Sequence, residues 1–269
     1  MDSHKQLPRF ALSRFKDHNG AVFILCLKDF QIYSRGPRVI GTEQDYYSPA
    51  MEDYLSTNRE NPFCRATEKF IEFAEQKKTA TTINPNDEVV TKRYVTSSMA
   101  RSNRAFNSFM QNSITAQLFI PQSNHDHLVY FASERNNGIS ELIENYKILI
   151  MVNKTQHQFV LPRNCIYGIS SFGFFCIIVP LSPFCALQLV PPEFDKNYID
   201  GQETRLVICN DPEMVLLMNI AAMRYEYVFN RDFVAAGRKK ELEELKSYAV
   251  ANKSSLDDFS KAINSDLQE

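Results

Sequence analysis

Tryptophan is absent from the 269 residues, and glycine occurs only eight times. So few glycines argue against a phosphate-cradling loop of the Walker or dinucleotide-binding kind, which needs several at fixed spacing. No sign of charge dominates either. Thirty Lys and Arg stand against 32 Asp and Glu, a net charge of −2. Nothing global therefore pulls the chain toward nucleic acid or an anionic membrane, and any such contact must come from a local patch. None of the six cysteines forms a Cys-x-x-Cys pair, so the spacing signature of zinc or redox chemistry is missing. The opening residues lack the apolar core of a secretory signal. One greasy stretch, Phe172 to Pro192, approaches the ~20 residues of a membrane helix. Pro180 and Pro183 interrupt it, so it reads as two buried strands joined by the Pro-Leu-Ser-Pro turn. These absences point to a soluble, cytoplasmic protein with reduced cysteines and no membrane contact. There is no internal repeat and no low-complexity tract.

What is present is phenylalanine, 20 residues of it, with 12 tyrosines. Phe buries apolar area without needing a polar partner, so a Phe-rich core is expected. Ala21 to Leu27 is a continuous apolar run followed by Lys28-Asp29 and an alternating Phe-Gln-Ile-Tyr-Ser segment. That is a hairpin whose first strand, apolar on both faces, belongs in the middle of a sheet. Asn61-Pro62 is expected to start a helix, with Phe63, Ala66, Phe70, Phe73 and Ala74 on one face. A Thr-Thr-Ile-Asn-Pro-Asn-Asp-Glu segment breaks that helix, and a second is expected from about Ser97 into Ile114. Strands follow from Lys147 to Val190. The clearest helix has Asp211 as cap, Pro212 in its first turn and Glu213 at the positive dipole end, with Met214, Leu217, Ile220 and Ala221 as its apolar stripe. Hairpin, helices, strands and helices in that order predict an α+β fold with an antiparallel or mixed sheet. Residues 1–236 are expected to form one domain, and 237–269 a charged helical appendage, solvated or facing a protein partner.

The stretch from His4 to Asp29 opens with basic residues around a proline. Lys5, Arg9, Arg14 and Lys16 could form a phosphate-binding lip backed by Phe10 and Phe15. Alternatively, Leu7, Phe10, Leu12 and Phe15 tuck the N-terminus onto the hairpin while the basic residues pair with Glu43 and Asp45. With His4, Pro8, Leu12 and Phe15, this opening resembles a microbial family known as domain of unknown function 4238. The acidic segment holding Glu43, Asp45, Glu52 and Glu60 resembles the family's next stretch. A helix with Arg101 and Arg104, a late Pro-Leu-Ser-Pro strand, and a final helix with Asn219 and Arg224 continue the likeness over roughly residues 4–232. Two departures matter. A Thr-Ser-Asp-x-Pro segment common in the family reads Leu-Pro-Arg-Asn-Cys here, placing Arg163 where an aspartate is usual, and Lys5 stands where a second histidine is common.

The resemblance implies a candidate site of His4, Glu52 and Glu60 as catalytic groups with Glu43 and Asp45 as metal ligands. Imidazole and carboxylates hold Mg²⁺ or Mn²⁺ and activate water for phosphodiester hydrolysis. Arg9, Arg14, Arg101 and Arg104 would steady a nucleic-acid phosphate. This is the chemistry of a nuclease-like effector in a microbial defence system. The bland reading makes Glu52 and Glu60 solvated carboxylates near helix N-termini. The alternative function is a non-catalytic regulatory or interaction module, supported by Arg163 and the charged tail. If Arg163 compensates for the lost aspartate, it should lie within salt-bridge reach of Glu43, Asp45, Glu52 or Glu60. His125-Asp126-His127 reads as a polar loop tip, having no third metal ligand at a recognised spacing.

Overall fold

The computed structural model describes residues 4–5, 7–40, 42–43, 48–75, 83–101, 143–171, 173–194, 205–230 and 232–265. The expected α+β class is what these residues form.

The chain enters through β1 (His4–Lys5), which pairs antiparallel with β4 (Thr42–Glu43). Between them lie helix α1 (Arg9–Arg14) and the predicted hairpin of β2 (Val22–Cys26) and β3 (Ile32–Arg35). The hairpin turn is held by Asp29, whose carboxylate accepts from the Gln31 N–H at 2.9 Å and the Tyr33 hydroxyl at 2.8 Å.

Two helix starts differ from expectation. The first helix begins at Pro49, where Ser48 Oγ accepts from the Met51 N–H at 3.2 Å. It runs as α2 (Pro49–Leu55), through a π-helical turn at Ser56–Glu60, into α3 (Asn61–Glu75). Asn61-Pro62 is thus an interior junction. An α-helix would need an N–H at residue 62 to meet the Asn58 carbonyl, and proline has none. Arg59 Nη1 donates to that carbonyl instead, at 3.0 Å. The widened turn accommodates the proline ring, as such bulges do. The second helix, α4 (Pro85–Ala100), begins at Asn84-Pro85 rather than near Ser97, with Asn84 Oδ1 accepting from the Asn86 N–H at 2.9 Å. Asn84-Pro85 therefore initiates a helix inside the segment read as a breaker. The portion of the expected helix beyond residue 101 lies outside the described residues.

The second half is mostly sheet. Strands β5 (Lys147–Asn153), β6 (Leu161–Pro162), β7 (Tyr167–Ser171), β8 (Phe174–Ser182) and β9 (Cys185–Val190) are followed by β10 (Leu206–Cys209). Pro180 stays inside β8 at an irregularity of the ladder, so the turn to β9 is shorter than the Pro-Leu-Ser-Pro segment expected to form it. Helix α5 (Pro212–Phe229) has its predicted Asp211 cap, which accepts from the Glu213 N–H at 2.9 Å. Strand β11 (Phe233–Ala236) and helices α6 (Lys239–Ala251) and α7 (Lys253–Ser265) complete the order.

A five-stranded mixed sheet runs β10-β5-β9-β8-β7, with only the β10–β5 pair parallel, and a four-stranded antiparallel sheet runs β3-β2-β11-β6. Strand alternation sends side chains to two cores. Val22, Phe233, Ala235, Ile148, Ile150 and Val152 join Leu7, Leu12, Phe15, Phe63, Phe70 and Tyr94 on one side. Leu25, Val234, Ala236 and Met151 join Met218, Met223, Leu242, Leu245 and Leu256 on the other. The result is helices α1, α3 and α4, then sheet, then α5, α6 and α7. Strand β2 is apolar on both faces because both are covered, and it lies between β3 and β11 as its composition suggested. The charged C-terminal segment after residue 236 supplies Leu242, Leu245, Ala249 and Leu256 to the same core as Leu25. Its lysines and most of its glutamates face outward, in i,i+4 pairs such as Lys239–Glu243, whereas Glu241 is buried.

Helix α5 turns a different face inward from the one expected. Val215, Met218, Asn219, Ala222, Met223 and Glu226 are buried, whereas Met214 is 49% and Leu217 61% exposed. Placing the helix over Met151 and Tyr167 brings Asn219 and Glu226 inside. Among the described residues, no helix is long and apolar enough to cross a membrane. All six cysteines are free thiols, four of them buried.

Candidate functional site

A concentration of buried polar groups gathers at the turn between β6 and β7. Arg163 and Asn164 form its corner, and the Cys165 N–H closes it on the Pro162 carbonyl at 2.9 Å. Cys165 has φ of 60°, a left-handed conformation uncommon for a residue with a side chain. It is held there by groups on both sides.

On one side stand Tyr94, Arg101 and Glu60. Arg101 Nη1 donates to Glu60 Oε1 at 2.8 Å, and the arginine is almost wholly enclosed. Tyr94 stacks on Phe63, ring centroids 3.8 Å apart and 9° from parallel. Its hydroxyl lies within hydrogen-bonding reach of the Cys165 thiol. Burial pushes that thiol up to about 12 and raises the Tyr94 hydroxyl well above its usual range. A thiol so disposed stays protonated at neutral pH and is not a nucleophile.

On the other side Glu226, fully enclosed on α5, receives the Asn164 N–H on Oε1 at 3.1 Å and Asn230 Nδ2 on Oε2 at 2.9 Å. Arg163 forms an ion pair with Asp232, at the entry to β11. Burial raises the Glu226 carboxyl to about 7 against the hydrogen bonds from Asn164 and Asn230 and the charge of Arg163, which pull it down.

The predicted site residues fall in several places. The β1–β4 register sets His4 opposite Glu43. Their side chains are outside what is described, as are all of Asp45, Arg104 and His125 to His127. Glu52 sits half-buried in the first turn of α2, its N–H on the Ser48 carbonyl at 3.0 Å. Glu60 occupies the π-helical turn and faces Arg101, so a candidate base and a candidate phosphate ligand neutralise each other. Arg14 donates to Thr67 Oγ1 at 2.7 Å and lies 5.4 Å from the Phe10 ring centroid, clamping α1 to α3. Arg9 is exposed on α1. The apolar side chains of the opening are indeed tucked inward: Leu7, Leu12 and Phe15 are fully buried. The side chains of Glu43 and Asp45, the acidic partners expected for the basic residues, lie outside the described residues. Arg163 pairs with Asp232, because the β6–β7 turn abuts the strand β11 that Asp232 begins; of the four carboxylates expected within its reach, Asp45 and the Glu43 side chain lie outside the described residues.

Sequence reasoning passed over Glu226, Asp232 and Tyr94. A signal for Glu226 existed: Val215, Asn219, Ala222 and Glu226 share one helical face. Asn219 is also structural, its Oδ1 accepting from the Val160 N–H at 3.0 Å and its Nδ2 donating to the Gln158 carbonyl at 2.7 Å. Arg224, the other residue of the family likeness on this helix, lies 5.9 Å from the Phe259 ring centroid.

Among the described residues, no group of three or more His, Cys, Asp or Glu side chains is arranged to hold a metal ion. No family model, curated protein or solved structure matches the chain.

Proposed function

We propose that this chain is a non-catalytic regulatory or protein-interaction module of the cytoplasm. The observation that carries this reading is the Glu60–Arg101 ion pair at 2.8 Å. A buried guanidinium already neutralised by a carboxylate has little charge left to offer a phosphate, and the carboxylate is equally committed. Arg14 and Arg163 are likewise engaged inside the protein. Surfaces suited to a protein partner are the charged faces of α6 and α7 within residues 237–269, together with the outward Met214 and Leu217 of α5. Six free thiols fit a reducing compartment.

A second reading is favoured by the register of His4 opposite Glu43. In it, the chain is a metal-dependent phosphodiester hydrolase, a nuclease-like effector as the likeness to the domain-of-unknown-function family implies, taking Mg²⁺ or Mn²⁺ and nucleic acid. The test is to incubate purified protein with single- and double-stranded DNA and RNA in Mn²⁺, Mg²⁺ or chelator. The first reading expects no metal-dependent cleavage and no metal-induced rise in Tm. Cleavage that disappears in His4→Ala or Glu52→Ala overturns it in favour of the second.

A further inference from the structure

We propose that the oxygens gathered around Gly237, just before α6, form a binding site for a monovalent alkali cation, Na⁺ or K⁺. The site lies apart from the groups invoked in either reading of function.

Gly237 is not required there by conformation, since its φ is not positive. What its missing side chain leaves is a space walled by oxygen. A Cβ at this position would stand 3.2 Å from Gln158 Oε1, 3.4 Å from the Phe15 carbonyl oxygen and 3.6 Å from that of Lys16. Beside the space is the carboxylate of Glu241, on the first turn of α6 and only 2% exposed. Gln158 joins the two, because its N–H donates to Glu241 Oε1 at 3.2 Å while its own Oε1 borders the space. Arg238 Nη2 reaches the same Glu241 oxygen at 3.0 Å. Glu241 Oε2 and Gln158 Oε1 are both enclosed, and neither meets a donor among the described residues. Enclosed acceptors are satisfied in folded proteins, by a protein donor, a water or an ion.

The set of ligands says which ion suits it. The nearest atoms are all acceptors, so an anion is repelled, and all are oxygen, which suits hard ions rather than soft ones. The single carboxylate is partly committed to Arg238 and offers less than one full negative charge. Ca²⁺ and Mg²⁺ draw on more charge than that. The positive end of the α6 dipole further disfavours a doubly charged ion. Carbonyl oxygens replace the hydration shell of a singly charged ion without needing a full countercharge. Such an ion would stand off the Gly237 Cα, moved outward from the Cβ point toward the oxygens. It would tie the residues after α1 and the β5–β6 connection to the start of α6, and so fasten the C-terminal helices.

The experiment is urea unfolding of the full chain in KCl, NaCl and choline chloride at one ionic strength, choline being too large for the space. A site with a dissociation constant of about 10 mM raises the folded-to-unfolded ratio about tenfold at about 100 mM ion. That rise should saturate with K⁺ or Na⁺ and be absent in choline. Gly237→Ala puts a methyl group in the space and should abolish the difference between salts. Glu241→Gln withdraws charge and should move the dependence to higher ion concentration, whereas Gln158→Glu adds charge and should move it to lower. Equal stability in all three salts overturns the proposal: the oxygens are then met by water, or Gln158 turns its amide nitrogen toward the two carbonyls. A difference that survives in Gly237→Ala, or a rise produced only by Ca²⁺ or Mg²⁺, overturns it too. If Gly237→Ala does not fold, the other two variants decide it: no shift, or shifts in the same direction, overturn the site.

Discussion

Replacing Glu60 by alanine should destabilise the fold by about 3 kcal/mol, and the loss should depend on Arg101 being present. Charges 2.8 Å apart attract by about 6 kcal/mol at an effective dielectric of ~20. Dehydrating the nearly enclosed guanidinium offsets much of that, and Glu60, being partly open to solvent, is screened on one side. Removing one partner of a buried pair costs about 3–5 kcal/mol, and the exposure of Glu60 favours the lower end. Arg101→Met keeps an unbranched chain of similar length and removes the charge. Glu60→Ala in that background should cost far less, because no buried cation is left unpaired. Urea unfolding of the parent, both single variants and the double variant gives the coupling, expected at about 2 kcal/mol. A coupling below about 0.5 kcal/mol would refute the reasoning. Arg101 would then be energetically independent of Glu60 and available to a phosphate, and the non-catalytic reading would lose its main support.

Asn219→Ala should cost about 3 kcal/mol, read as a fall in the urea midpoint, because it strands the buried Val160 N–H and the Gln158 carbonyl together; a loss under about 1 kcal/mol would mean that the 158–160 segment is held by other contacts. Global stability should also depend on pH through Glu226. Its folded-state value of about 7 lies above the ordinary 4.5, so the folded state binds the proton more tightly. The stability it contributes is complete below about pH 4.5, declines as pH rises, and is lost above about pH 7, a span of about 3 kcal/mol. Subtracting the profile of Glu226→Gln from that of the parent isolates this slope, and a difference that is flat or rises with pH would contradict the sign.

Local chemistry was legible wherever a short stretch carries its own instruction. Asp211-Pro212-Glu213 caps and starts α5 because side-chain acceptor, proline and dipole agree within three residues. The β2–β3 hairpin and the strands on either side of Pro183 follow from apolar runs punctuated by turn residues, and the order of those elements was enough for α+β. The same local rules misplaced the start of α3, because Asn61-Pro62 looks like a beginning and only the π-helical turn before it, with Arg59 on the Asn58 carbonyl, lets a helix pass through. They also passed over β10 and β11. Each has four residues, too few for a periodic signal, and each becomes a strand by pairing with a partner distant in sequence.

The inward face of α5 was beyond local reasoning for a further reason. Its apolar residues nearly encircle the helix, so periodicity could not choose between Met214 with Leu217 and Val215 with Asn219. The choice is made by where the sheet and α6 lie, and it carries Glu226 inward with it. Arg163 is the same case: its charge is written in the sequence, but Asp232 becomes its partner only because β6 and β11 pair. Composition, caps and spacing set which elements form, since those are contests between neighbouring residues. Which ionisable groups meet away from water is settled by long-range packing, which no short window of the chain contains.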